Sequence, residues 1–67
     1  MLCEIISETK GIIVNLPIQG DINVSHDDYI EVNNVRYVVR RKEYILKTEN
    51  DPTQRQIHIT RIVIYVM

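Results

Sequence analysis

The sequence predicts an all-β protein: a small antiparallel sheet of about five strands, curled on itself into a barrel, open or closed. Three observations predict it. The apolar share is 45%, carried mainly by Ile and Val, with no Phe, Trp or Ala and little Leu. β-branched residues favour strands, and the missing Ala argues against long helices. Turn-forming residues punctuate the chain at short intervals, and the runs between them alternate apolar with polar residues. Finally, one stretch spells out a hairpin whose turn, register and charge pairing agree.

Leu2 to Ser7 is the first strand candidate, with Leu2, Ile5 and Ile6 apolar; Glu8, Thr9, Lys10 and Gly11 form a turn. Ile12 to Leu16 is a second apolar run, closed by Pro17, and the two runs make either a hairpin or one bent strand. Gln19, Gly20 and Asp21 read as a turn, after which Ile22 and Val24 alternate with Asn23 and Ser25. Ser25 to Asp28 is a polar corner. The hairpin follows. Asn tolerates positive φ, so Asn33 and Asn34 suit a two-residue type I′ turn. Such a turn sets Val32 opposite Val35, Glu31 opposite Arg36, Ile30 opposite Tyr37 and Tyr29 opposite Val38. One face then holds Ile30, Val32, Val35, Tyr37 and Val39; the other pairs Glu31 with Arg36, contributing roughly 0.2–1 kcal/mol.

The strand that starts at Val35 continues through Tyr44, Ile45 and Leu46. Its apolar positions are odd at Val35, Tyr37 and Val39 but even at Tyr44 and Leu46. A phase change near Arg40, Arg41 and Lys42 requires a bulge or sharp bend, which is one way for a sheet to curl. Thr48 to Gln54 reads as a polar loop, and Pro52 cannot occupy a central strand. Gln56 to Met67 is the last strand, and beyond Arg61 both of its faces become apolar.

At 67 residues the chain is one domain, spanning 1–67. A chain this short buries only about 60% of its unfolded surface, so a disulfide, a metal or oligomerisation is the usual reinforcement. Cys3 is alone, and no Cys/His cluster has zinc spacing. A well-packed monomer or an oligomer remains, with no cofactor expected. The formal net charge of −1 gives the whole chain no attraction to nucleic acid or anionic lipid. No stretch has the length of a membrane span, and the first residues lack a basic-then-apolar leader pattern. A free thiol fits a reducing compartment. The preference for Ile, Asn and Lys over Ala and Gly accompanies AT-rich coding in certain bacteria and their viruses. The expected setting is therefore the cytoplasm of a bacterial host, or a virion.

Gly20, Asp21, Ile22, Asn23 and Val24, followed by Tyr29 to Val32 and by Tyr37, Val38 and Val39, have a cadence that resembles SH3-like barrels. The resemblance covers about half of the chain and implies a small barrel. Such barrels serve in translation factors, in adaptor domains and in head–tail joining proteins of tailed phages, so the resemblance does not select a function. The same residues are also an ordinary turn followed by a hairpin, and that plainer reading is preferred.

Chemistry is sparse. His26, Asp27 and Asp28 could hold a divalent metal with His58, but consecutive residues of an extended chain point to opposite faces. Asp27 and Asp28 more simply start a turn through side chain-to-backbone bonds. Cys3 with either His has no orienting group and no oxyanion site. No acid–base pair, P-loop or Gly-rich dinucleotide turn is present. The expectation is a protein that is not an enzyme.

Two surfaces remain. Arg36, Arg40 and Lys42 share the outer face of one strand while its pleat stays regular, with Tyr29 and Val38 on the same face. A basic stripe beside an aromatic ring is how small barrels bind single-stranded nucleic acid. Glu31 and Glu43 oppose that reading. The run Ile62, Val63, Ile64, Tyr65, Val66 and Met67 is the stronger clue, because a strand apolar on both faces must be covered on both. In so small a chain, a second copy or a larger protein is the simplest cover, and a long strand crossing the barrel is the alternative. The sequence therefore reads as a self-associating interaction or assembly module, with nucleic-acid binding as the rival.

Overall fold

In the computed structural model, which describes residues 1–50 and 55–67, the alternating runs form five strands. They are β1 (Leu2–Ser7), β2 (Gly11–Pro17), β3 (Tyr29–Val32), β4 (Val35–Asn50) and β5 (Arg55–Val66). The sheet order is β2-β1-β5-β4-β3. It curls into a half-barrel. Three of the four pairings are antiparallel, but β1 and β5 run parallel, from Leu2 opposite Arg61 to Ser7 opposite Val66. The sheet is all-β and curled as expected, and mixed in direction through this one parallel pairing. The last strand inserts between β1 and β4, and its antiparallel pairing with β4 leaves it aligned with β1.

Local chemistry accounts for the turns. The Ser7 hydroxyl accepts hydrogen bonds from the Thr9 and Lys10 N–H groups, both at 3.2 Å, and Gly11 takes φ +79° to re-enter the sheet. The runs 2–7 and 11–17 are therefore a hairpin. Asn33 and Asn34 adopt φ +50° and +67°, and the β3–β4 register is the one expected, with Glu31 opposite Arg36. The phase change in β4 is a bulge between Val39 and Arg41 that leaves Arg40 without an opposite residue. A second irregularity adds Thr60 to β5, since Ile45 faces Arg61 and Leu46 faces Ile59.

Cys3, Ile5, Tyr37, Val39, Ile62, Ile64 and Val66 form the core. Burying one such aliphatic side chain contributes about 1.5–3 kcal/mol. The open side is closed by residues 18–28, whose Ile18, Ile22 and Val24 pack on the core. This segment is not a strand despite its alternation. It is tied at its ends instead, by Ile18 N–H to Met1 O at 2.9 Å, Asp27 N–H to Val39 O and Val39 N–H to Asp28 O, the last two at 2.8 Å.

β1 meets β5 only from Arg61 onward, and β3 meets β4 only as far as Val38. Beyond them, among the described residues, β4 from Leu46 and β5 up to Ile59 pair only with each other. They form a two-stranded arm, and the molecule measures 47 × 20 × 20 Å. The loop expected at 48–54 does not begin at Thr48, because β4 continues through Asn50. Pro52 and its neighbours at 51–54 lie outside the described residues.

Candidate functional site

The C-terminal run is placed in the interior. Ile62, Ile64 and Val66 are fully buried and Val63 is 4% exposed, while Tyr65 is half-buried and Met67 exposed. Ile62 and Ile64 sit beside Cys3 and Ile5 on the core face, and residues 18–28 close that side. On the opposite face Val63 lies between Glu4 and Glu43 of the flanking strands. Tyr65 is capped by the Arg41 guanidinium, 4.2 Å from the ring centre. The cover that the sequence seemed to ask of a second chain is supplied by the chain itself. The physical reason is the position of β5 in the sheet: a strand flanked on both sides, with a segment folded over it, is apolar on both faces without an external partner. The same face holds the buried Glu4, which Arg61 Nη1 meets at 2.8 Å.

The exposed apolar surface is elsewhere. Residues paired across an antiparallel ladder share a face, so Leu46 and Ile59 lie with Thr48 and Ile57 on one side of the arm, while Lys47 and His58 lie on the other. Upstream, Tyr44 pairs with the core residue Ile62. The arm therefore extends the core face of the sheet. The covering segment stops at this point: the Tyr44 hydroxyl donates to Asp21 Oδ2 at 2.8 Å, and Lys42 Nζ donates to the Ile22 carbonyl at 3.0 Å. Past it, Tyr44, Leu46, Ile59 and Ile57 are 41%, 54%, 47% and 69% exposed. The alternation at 44, 46, 57 and 59 is visible in the sequence. Which alternating stretch the fold leaves uncovered is not.

The basic stripe is broken by the bulge. Arg36 stays on the outer face, opposite Glu31 and 5.4 Å from the Tyr29 ring, and Arg40 is exposed at the bulge itself. Lys42 is turned to the core face, where it pairs with Ile64 in register and reaches Ile22. Its interaction with Tyr44, aided by Asp21 and opposed by lost hydration, holds its ammonium above the usual range. Arg41 takes the outer position instead and meets Glu43 at 3.1 Å. Tyr29, Arg36, Arg40 and Lys42 thus do not form one continuous surface.

His26 Nδ1 lies 3.1 Å from Asp27 Oδ2, and Asp28 Oδ2 accepts the Ser25 N–H at 2.8 Å. Asp27 is at φ +72°. These are turn interactions, and His58 is on the arm. Among the described residues no group of three or more His, Cys, Asp or Glu side chains could hold a metal. Cys3 is buried, and burial, with a contribution from the Glu4 charge, pushes its thiol above the ordinary range. A protonated, enclosed thiol is a poor nucleophile. Among the described residues no helix is long and apolar enough to cross a membrane.

Comparison with known proteins finds no matching family, no matching curated protein and no matching solved structure. Function must be read from the surface.

Proposed function

We propose that this chain is a non-enzymatic protein–protein contact module that self-associates, and that the arm formed by β4 and β5 makes the contact. One observation carries the reading: the arm continues the apolar face of the core past the end of its cover, leaving Tyr44, Leu46, Ile57 and Ile59 exposed side by side. An isolated two-stranded ribbon is marginal in water, and three or more strands or a packed face are needed to hold one. An exposed apolar face rimmed by polar residues marks an interaction site. The phage-like composition and the SH3-like cadence suit a virion assembly part, or an inhibitor of a host protein, as the wider setting. The rival nucleic-acid reading has less support, because Lys42 lies on the core face, apart from Arg36 and Arg40.

Light scattering over a concentration series tests this. The expected mass rises above that of one chain and persists as salt is raised, because apolar burial is not screened. A mass that stays at one chain throughout overturns self-association. Low-micromolar binding of single-stranded nucleic acid that falls steeply with salt would favour the rival.

A further inference from the structure

Resting on that reading, we propose that the partner is a second copy of this chain, joined through the outer edge of β4 in an antiparallel register centred on Ile45. One side of β4 is occupied by β5 along the arm. On the other side β3 reaches only Val38, and Asp27 and Asp28 bond only Val39. Further along, no described residue makes a backbone bond to that edge. The covering segment does not stand in its line. Lys42 and Tyr44 reach Ile22 and Asp21 with side chains that project from the core face, so the segment lies over the face. An open edge presents N–H and C=O groups ready to pair with another strand.

The side chains along the edge select the strand. In a two-fold antiparallel pair centred on Ile45, Glu43 stands opposite the second copy's Lys47, and Lys47 opposite its Glu43. Ile45 meets Ile45 between them, and Tyr44 meets Leu46 on the other face. Each apolar residue from 44 to 46 faces an apolar one, and each charge at 43 and 47 faces its opposite. The groups are available: Ile45 is 43% exposed, Glu43 uses one carboxylate oxygen on Arg41, and Lys47 is exposed with no ion pair among the described residues. Moving the centre by one residue sets Glu43 or Lys47 opposite Ile45. Charge complementarity therefore chooses one register. In it the sheet runs on across the two-fold axis, and the apolar stripes of the two arms become neighbours on one face.

The test combines four variants with the native chain, each first checked for its strand signature by circular dichroism. Lys47→Glu sets like charges opposite each other twice per dimer and weakens the dimer about tenfold, as two cross-strand pairs reversed in sign should. Adding Glu43→Lys to it restores affinity to within about threefold of the native chain. Ile45→Cys forms a linked dimer on mild oxidation, because directly opposite residues lie within disulfide reach; the buried Cys3 does not compete, and the native chain is the control. A native dimer that ignores Lys47→Glu, and in which Ile45→Cys does not link, overturns the register while leaving self-association standing. Dissociation by Ile57→Lys alone, with Lys47→Glu silent, would show the arms stacked face to face instead. A native chain that is monomeric at every concentration overturns both proposals.

Discussion

At Asn34 the backbone sits at φ +67°, a conformation that glycine adopts without steric cost and a β-branched residue resists. Asn34→Gly should leave the melting temperature unchanged or slightly raised, and Asn34→Val should lower it, because left-handed strain there costs roughly 1–2 kcal/mol. Arg61 is the second informative residue, because it completes the buried Glu4 at 2.8 Å. Arg61→Met should cost about 1–3 kcal/mol in a denaturant titration, since it leaves an enclosed carboxylate without its donor. Cys3 sets a pH dependence. Its folded thiol holds its proton more tightly than the unfolded one, so the folded state binds more protons in the alkaline range. Its contribution to stability is complete below the ordinary thiol range and is lost as pH rises through the folded value. Thermal melts of the native chain and Cys3→Val should diverge in that direction: the native chain loses stability above that range and the variant does not lose this share.

At the scale of elements, the hairpin of β3 and β4 was fully legible. Its turn residues, alternation and Glu31–Arg36 pair are all local, and local information sets the register of a two-residue hairpin. The bulge near Arg40 was legible for a related reason, since a reversal of alternation inside one strand requires a bulge or a sharp bend, and the structure has the bulge. The end of β4 was not legible. Thr48, Glu49 and Asn50 are residue types common in loops, yet backbone pairing with β5 holds them in the ladder. The arm has neither β1 nor β3 beside it. Amides from Leu46 to Thr48 and from Gln56 to Ile59 should therefore exchange hydrogen well before those of Ile62 to Val66, at protein concentrations too low for association. Protection of the arm that grows with concentration, while the Ile62–Val66 amides stay unchanged, would mark association there.

At the scale of the whole molecule, substitution by lysine separates interior from surface. Both Val63→Lys and Ile64→Lys should destabilise the chain strongly: Ile64→Lys buries an unpaired ammonium in the apolar core, and Val63→Lys forces a longer side chain into a closed site between Glu4 and Glu43. Leu46→Lys should keep the strand signature, since its position is 54% exposed, and should reduce association. A folded monomeric Val63→Lys would return the contact to the last strand.

The residues alone determined what depends on near neighbours: an all-β chain, the turns at 8–11 and 33–34, and the bulge. The tertiary structure decided which strands lie side by side. β1 and β5 meet across almost the whole length of the chain, and their runs of Ile and Val carry no mark that distinguishes a parallel neighbour from an antiparallel one. That single pairing encloses residues 62–66, and with the segment at 18–28 it determines where the cover ends. Apolar side chains at Ile62 and at Ile59 look alike in the sequence; one is core and the other surface because β1 begins opposite Arg61.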